Sequence, residues 1–265
     1  MVHDVDGARF AWREAGDGPL VVLLHGLGGS RLSWEPQLAG LGDRWRVAAW
    51  DMPGYGAAAP LDVDRVTFRA LADAAADWIA ELGESAAHVV GISMGGMVAQ
   101  YLAAWHPDSV RSLTLLATSP RFGMDGTRPD EWRTARLAPL DAGQEPADFA
   151  ERVLRALAGP HITDAAIEGQ RAAMARVAGV ALRRSIECLV SHDTTRLLAD
   201  IRQPSLVAVG ALDRETPPEY SEYIAHHLPN AQLRVVDDAG HLLNVEAPER
   251  VNELITAHLT SVETP

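Results

Sequence analysis

The sequence predicts an α/β protein: a mostly parallel eight-stranded sheet with helices on both faces and an inserted helical cap. Short apolar runs, typical of strands buried on both faces, alternate with stretches of helical spacing. From residue 119 to residue 199 the pattern changes to helical stretches broken by glycine and proline, without a strand signal. We therefore expect a core domain made of residues 1–118 and 200–265, and a cap formed by residues 119–199.

The first strands are predicted from turn signals and apolar runs. Val2–Val5 and Ala8–Arg13 flank Asp6-Gly7, a dipeptide typical of hairpin turns. Leu20–Leu24 is a continuous apolar run, as expected for a strand covered on both faces. Trp45–Trp50 is the next predicted strand, and it ends in a turn cluster of glycine and proline.

The remaining core elements alternate along the chain. Further strands are predicted immediately before Gly91 and at Val110–Ala117, Ser205–Gly210 and Gln232–Val236. Apolar spacing, or a proline at the first turn, predicts helices at Ser33–Leu41, Thr67–Leu82, Met94–Trp105, Pro217–His227 and Pro248–Leu259. We expect Ser33 to cap the first of these helices and His258 to be solvated on the last. This order of elements is the reason that we expect a parallel sheet with helices on both faces.

Composition and charge exclude several classes of function. The chain has 265 residues, of which 47% are apolar, enough for a sizeable core. The net charge of −13 argues against nucleic-acid binding, which needs basic patches. A single cysteine, Cys188, allows no internal disulfide and no cysteine-based zinc site. The N-terminus lacks a secretory signal pattern and no apolar run reaches transmembrane length, so we expect a soluble cytoplasmic protein that binds no membrane.

The strongest chemical signal is the stretch Gly91-Ile92-Ser93-Met94-Gly95, which follows an apolar strand and opens an alanine-rich helix. A serine on such a sharp strand-to-helix turn projects above the edge of the sheet. Residues without a side chain are needed two positions before and two positions after it. The N–H groups of the helix that begins at Met94 point back at the serine and favour negative charge there. We predict that Ser93 is a nucleophile.

A second glycine-rich loop, residues 25–30, follows the Leu20–Leu24 strand. Glycines let the backbone approach a ligand closely. Paired with the serine turn, the loop predicts an oxyanion hole in which the backbone N–H groups of Leu27 and Met94 are the donors. We expect His25 to bond the loop backbone and not to act as a base.

A carboxylate and a histidine follow Ser93 in the order that this chemistry requires. Asp213 comes after one buried strand and His241 after the next, so both reach the carboxyl ends of neighbouring strands. A neutral imidazole takes the serine proton during attack, and a carboxylate on its far nitrogen fixes the tautomer. Glu215 is the nearest rival to Asp213 as the acid. Asp51 is expected instead to hold a turn through backbone N–H groups.

The motifs HGLGGS, DMPGYG, GISMGGMVAQ, LDRETP and DAGHLLNVE stand in this order along the chain. Together they resemble the α/β-hydrolase family over the whole chain, and GISMGGMVAQ and GHLLNVE are most similar to 3-oxoadipate enol-lactonases and related lactonases and esterases. One departure is Met52-Pro53-Gly54-Tyr55-Gly56-Ala57, where enol-lactonases usually carry an Arg-Gly-His-Gly turn followed by serine. The resemblance implies a nucleophile, acid and base at Ser93, Asp213 and His241.

The resemblance and the motifs together predict a serine hydrolase that cleaves a small-molecule carboxylic ester or lactone through an acyl-enzyme. This chemistry needs no cofactor and no metal ion. We predict that Trp34, Arg121, Trp132 and His161 contact the substrate. Arg121, Arg133 or Arg136 is expected to pair with a substrate carboxylate, the alternative being an arginine on a solvated face of the cap. Homodimers are common in such proteins, although no feature of the sequence indicates one.

Other activities stay open at this point. The same triad serves hydrolysis of carbon–carbon bonds in ring-cleavage diketones, and cofactor-free perhydrolysis is a further side activity of this architecture. A non-hydrolytic lyase or cyclase, or a ligand-binding protein on the same fold, is compatible with the pattern. An aspartate nucleophile is disfavoured because Ser93 occupies the turn.

Overall fold

The computed structural model describes residues 1–264, and in this part of the chain the strands form an eight-stranded sheet. The sheet order is β1-β2-β4-β3-β5-β6-β7-β8, with β1–β2 and β2–β4 antiparallel and the other pairs parallel. The strands are β1 His3–Asp6, β2 Ala11–Ala15, β3 Leu20–Leu24, β4 Arg46–Asp51, β5 Ala87–Ile92, β6 Val110–Leu116, β7 Ser205–Gly210 and β8 Ala231–Val236. The predicted mostly parallel α/β sheet is confirmed.

Helices cover both faces of the sheet. The core helices are α1 Glu35–Leu41, α2 Phe68–Glu81, α3 Met94–Trp105, α8 Pro218–His227, α9 Leu243–Glu246 and α10 Pro248–Glu263. Residues 119–199, which we call the helical insertion, lie between β6 and β7. Their helices are α4 Pro129–Asp141, α5 Pro146–Leu157, α6 Asp164–Met174 and α7 Gly179–Leu189. No helix of residues 1–264 has the length and apolar character needed to span a bilayer.

Two apolar cores lie on opposite faces of the sheet, and β3 shows why a continuous apolar run is required there. Leu20, Val22 and Leu24 face the core under α2, α3 and α8. Val21 and Leu23 face the core under α1 and α10. Because successive strand side chains point to opposite faces, every residue of β3 is buried.

Two predictions of local structure need correction. Ser33 does not cap the first helix: Ser30 accepts a hydrogen bond from the Leu32 N–H at the start of a short 3₁₀ turn, and α1 begins after that turn. His258 was expected to be solvated on its helix, but it faces the sheet and is only 8% exposed. In both cases the position and partners of the side chain depend on the groups that pack beside the helix. The spacing of apolar residues along the sequence does not specify those groups.

Candidate active site

Ser93 lies on the turn between β5 and α3 with φ 54° and ψ −121°, in the left-handed region that non-glycine residues rarely adopt. The turn has room only for glycine on either side. A Cβ on Gly91 would lie 2.4 Å from the carbonyl oxygen of Gly95, and a Cβ on Gly95 would lie 2.0 Å from that of Leu24. These contacts account for the G-x-S-x-G spacing.

The serine, the histidine and the aspartate form one chain of hydrogen bonds, although they come from three distant parts of the sequence. Ser93 Oγ lies 3.0 Å from His241 Nε2, and His241 Nδ1 lies 2.9 Å from Asp213 Oδ2. With Nδ1 donating to the carboxylate, Nε2 is free to accept the serine proton. His241 is 5% exposed and Asp213 is 3% exposed, so water competes little for either side chain.

Asp213 is held by a short turn that sequence reasoning did not single out. The backbone N–H groups of Glu215 and Thr216 donate to Asp213 Oδ1 at 2.9 Å each, and the Thr216 hydroxyl donates to Oδ2 at 2.9 Å. Thr216 Oγ1 also lies 3.3 Å from His241 Nδ1. A threonine three residues after an aspartate is a recognisable turn signal, and it could have identified this contact.

Neighbouring charges and hydrogen bonds shift the pKa values of Asp213 and His241 in the directions that favour the ionised carboxylate and the protonated imidazole. Burial acts on Asp213 to raise the pKa of the carboxyl, but the His241 charge and hydrogen bonds outweigh it, and the pKa lies below the usual value. Burial acts on His241 to lower the imidazole pKa, but the charges of Asp213 and Glu215 outweigh it. The pKa of His241 is therefore raised above its usual 6.5.

The glycine-rich loop after β3 lies directly against Ser93. A Cβ on Gly26 would be 3.1 Å from the Ser93 Cβ. His25 supports the loop from behind: the Met52 N–H donates to His25 Nε2 at 3.0 Å, so Nδ1 carries the proton and donates to the Gly26 carbonyl at 2.8 Å. Burial lowers the pKa of His25, which favours this neutral form.

The two backbone N–H groups predicted to stabilise an oxyanion are available. Within residues 1–264 neither the Leu27 nor the Met94 N–H donates a hydrogen bond to another protein group. Met94 is the first residue of α3, whose N-terminal N–H groups have no partner inside the helix.

A cavity of about 590 Å³ opens above Ser93 and His241, between the core and the helical insertion. Arg121 and Trp132, two of the residues predicted to contact the substrate, line it. Trp34 and His161 do not. Trp34 is fully buried in the core under α1, and His161 lies exposed after α5. The expectation that these two residues contact substrate needs correction, because their side chains lie outside the cavity wall.

Most of the cavity wall is apolar, and its charged residues divide into paired and unpaired groups. Arg136 pairs with Glu215 at 2.6 Å and stacks over Trp132, and within residues 1–264 the Glu215 carboxylate forms no hydrogen bond with His241. The other arginines on the wall are Arg121, Arg152 and Arg214, and within residues 1–264 none of them forms a salt bridge. No group of three or more His, Cys, Asp or Glu side chains in the described part of the chain is arranged to hold a metal ion.

Comparison with known proteins is consistent with this architecture. An esterase from Thermogutta terrifontis superimposes with a TM-score of 0.84 at 28% identity, with full coverage of both chains. An enol-lactonase from Burkholderia xenovorans, at 23% identity and a TM-score of 0.77, covers 97% of this chain and all of its own and shows the shared fold.

A relative by sequence is the pimeloyl-(acyl-carrier protein) methyl ester esterase of Chromobacterium violaceum. It is 35% identical over 232 residues, which cover 85% of this chain and 88% of the relative. The family model for the alpha/beta hydrolase family matches residues 21–254. This match covers most of the sheet with its helices and the whole helical insertion. The chain therefore belongs to the alpha/beta hydrolase family.

Proposed function

We propose that the protein is a serine hydrolase that cleaves a carboxylic ester or lactone through an acyl-enzyme. The observation that carries this proposal is the hydrogen-bonded series Ser93–His241–Asp213, of which Ser93 and His241 line the cavity. His241 takes the proton of Ser93 as its oxygen attacks the carbonyl carbon, and returns it to the leaving alcohol. Water, activated by the same imidazole, then releases the acid and restores the serine.

The backbone N–H groups of Leu27 and Met94 are proposed to bind the oxygen of the tetrahedral intermediate. Both are unengaged, and the Leu27 loop packs against Ser93. A pair of such donors, aimed where negative charge develops, is worth several kcal/mol of transition-state stabilisation, roughly 3–4 kcal/mol for each donor. In this proposal the helical insertion acts as a cap that encloses the substrate and limits the access of bulk solvent, while the water that releases the acid is admitted to His241.

The names of the relatives favour ester hydrolysis. An esterase is among the relatives above 30% identity, whereas the enol-lactonase is similar at a level that supports the fold alone. A panel separates the remaining activities: p-nitrophenyl esters of short and medium chain length, γ-lactones including an enol-lactone, and a ring-cleavage dienoate that reports carbon–carbon hydrolysis. We expect turnover of esters or lactones and none of the dienoate.

The test of the mechanism is Ser93→Ala. We expect kcat to fall by about 10⁴-fold or more, because the remaining groups have no nucleophile to activate. A fluorophosphonate should label the wild type at Ser93 and leave the variant unlabelled, with an unchanged circular dichroism spectrum. Retained turnover in the folded variant would exclude this mechanism.

Charge on the cavity wall favours a substrate that carries a carboxylate away from the ester. Three wall arginines, Arg121, Arg152 and Arg214, form no salt bridge within residues 1–264, while the two wall carboxylates are engaged: Glu215 by Arg136, and Asp125 by Thr127. The helical insertion holds eleven arginines and eleven acidic residues, so the whole net charge of −13 resides in the core. An anionic acyl chain is repelled less from the insertion side than from the core side.

The arginine proposal is tested with monomethyl esters of dicarboxylic acids and neutral esters of the same chain length. We expect Arg121→Gln to lower kcat/KM for the anionic ester by roughly 10-fold and to leave the neutral ester unchanged, since a charge-assisted contact is lost only with the anion. Arg133→Gln is the matched control: this insertion arginine is absent from the cavity wall and pairs with Asp130. Equal effects on both substrates would contradict an anion contact.

A further inference from the structure

The carboxylate of Glu246 collects three backbone N–H groups from two separate parts of the chain. Gly240 and Leu242 donate to it at 2.8 Å each, and Gly159 donates at 2.7 Å. Glu246 is the last residue of α9, the short helix that begins directly after Leu242. The side chain therefore folds back along its own helix and reaches residues 240–244, which carry His241 and which we call the histidine segment.

Two of these donors are the residues on either side of His241, and the third belongs to the helical insertion. Gly159 lies in the turn between α5 and α6. The end of α5 makes a further bond to the histidine itself, because the backbone N–H of His241 donates to the carbonyl oxygen of Leu157 at 3.1 Å. The backbone of the histidine segment and the backbone of the insertion are thus joined at the point where the base is held.

The contact between the two segments is too close for any side chain. A Cβ on Gly159 would lie 2.6 Å from Glu246 Oε2 and 2.8 Å from the Gly240 nitrogen. A Cβ on Gly240 would lie 2.5 Å from the Gly159 nitrogen. Two facing glycines allow the insertion to rest directly on the histidine segment, and Glu246 Oε2 bridges their N–H groups.

The opposite side of the histidine segment is fixed to the core. Asn244 donates through its amide to the Ser33 carbonyl at 2.8 Å, and Gln37 donates to the Asn244 carbonyl at 2.9 Å. Within residues 1–264 no arginine or histidine forms a salt bridge with Glu246. The carboxylate is therefore committed to backbone N–H groups, which a charged acceptor binds more strongly than a neutral one does.

We propose that Glu246 is a positioning residue that joins the helical insertion to the histidine segment and so holds His241 at the distance from Ser93 that catalysis needs. This inference rests on the proposed function. Glu246 touches neither the imidazole ring nor the serine; it acts through the N–H groups that flank the base. Because Glu246 also accepts a hydrogen bond from Gly159, the position of the insertion affects the geometry of the active site. Loss of that hydrogen bond would remove one of the constraints on the histidine segment.

The experiment compares Glu246→Gln with Gly159→Ala. The glutamine keeps the size of the side chain but turns an NH₂ group toward backbone donors, and the alanine forces the insertion away from the carboxylate. We expect each variant to lower kcat by about 10- to 100-fold with KM nearly unchanged, because a displacement of the base on the order of 1 Å has an effect of that size. The rate of fluorophosphonate labelling of Ser93 should fall in parallel.

The double variant tests whether the two residues act through the same contact. We expect it to lose little more activity than Glu246→Gln alone, whereas independent contributions would multiply. Glu145→Gln is the matched control. The Glu145 carboxylate also accepts a backbone bond within the insertion, from Gly179 at 2.9 Å, but it has no contact with the histidine segment. Its kcat should stay at the wild-type value.

Thermal unfolding shows whether each variant is folded at the assay temperature. In a folded variant, a lower kcat reports the position of His241 and not a loss of stability. A folded Glu246→Gln or Gly159→Ala protein with wild-type kcat would overturn the proposal, as would multiplicative effects in the double variant or an equal loss in Glu145→Gln. If Glu246→Gln does not fold, Gly159→Ala decides by itself. Loss of turnover in Ser93→Ala combined with full turnover in the Glu246 and Gly159 variants would leave the proposed function standing and remove this inference alone.

Discussion

Ser93 combines an unfavourable backbone conformation with hydrogen bonds that maintain it. A non-glycine residue at positive φ costs about 1–3 kcal/mol. The cost is offset because the Ser93 N–H donates to the Leu116 carbonyl at 3.0 Å, and its own carbonyl accepts from the Thr118 hydroxyl at 2.7 Å. Thr118 therefore joins the Ser93 turn to the end of β6. Strain of this kind is expected where a side chain must be held away from the sheet for a function.

In the proposed mechanism, the pH dependence of activity follows from His241. The imidazole must be neutral to accept the serine proton, and its pKa is raised above 6.5 in the folded protein. Lowering the pH through this raised pKa protonates the base, so we expect the acid limb of the kcat/KM profile to have its midpoint above 6.5 and activity to increase toward alkaline pH. Steady-state kinetics between about pH 5 and pH 9 measure the midpoint.

A variant shows whether neighbouring charge sets this midpoint. Glu215 is one of the charges that raise the pKa of His241, and Arg136 opposes it. Glu215→Gln removes the favourable charge and releases Arg136 from its salt bridge, so the midpoint should move to lower pH. Glu222→Gln, an exposed substitution on α8, is the control and should leave the profile unchanged. A midpoint below 6.5 in the wild type would contradict the predicted direction.

At the scale of elements, the boundaries that follow from backbone geometry were predictable. Helix α3 begins at Met94 and ends at Trp105, as the sequence predicts, because the serine turn and its glycines fix the start. The predicted start of the first helix, at Ser33, differs from the observed start of α1 at Glu35. Ser30 and Ser33 are both good capping residues, and only the structure shows that Ser30 accepts the capping hydrogen bond. Competing polar residues of the same type cannot be ranked from spacing alone.

The fit of α3 against β3 gives a prediction about stability. Gly95→Ala places a Cβ 2.0 Å from the Leu24 carbonyl oxygen, a backbone atom that cannot move without displacing β3. We expect a loss of about 3 kcal/mol or more in the free energy of unfolding, or failure to fold. Urea denaturation measures the change.

Gly169→Ala is the matched control for this substitution. Gly169 lies within α6 and is exposed, and an added Cβ there would meet nothing within 4 Å. Alanine in an unhindered helix is expected to stabilise the protein by roughly 0.5–1 kcal/mol. A similar loss in both variants would show that the Leu24 contact is not the cause of the effect at Gly95.

At the scale of the whole molecule, burial of neutral histidines predicts acid sensitivity. Burial lowers the pKa of His258 to about 4, and a charge on neighbouring His88, whose own pKa is lowered by burial, acts in the same direction. The unfolded chain takes up a proton near pH 6.5 whereas the folded protein resists it until about pH 4. The stability present above pH 6.5 is therefore lost as the pH falls toward 4, by about 3 kcal/mol for this residue.

The measurement is the midpoint of urea denaturation at several values of pH between 7 and 4. His258→Gln should show a shallower dependence than the wild type, because the group whose pKa differs between the folded and unfolded states has been removed. His226→Gln, exposed on α8, is the control and should retain the wild-type slope. An unchanged slope in His258→Gln would contradict this assignment.

The amino-acid sequence was enough to predict the α/β architecture, the serine turn and the order along the chain of serine, aspartate and histidine. These features depend on local physics: strand and helix periodicity, the need for glycine beside a strained serine, and turns at the ends of neighbouring strands. Asp213 and His241 were recognised together because parallel strands end at the same edge of a sheet.

Which insertion residues face the cavity, and how the histidine segment is held, became apparent only from the packing of the elements. Trp34 and Trp132 are the same residue type and cannot be told apart by hydrophobicity. Trp34 lies in the core, whereas Trp132 lies on the cavity wall. Glu246 reads as an ordinary helix residue, and its bond to Gly159 joins positions 87 residues apart. Contacts of this kind depend on how separate helices pack, and the spacing of residues along one helix does not contain that information.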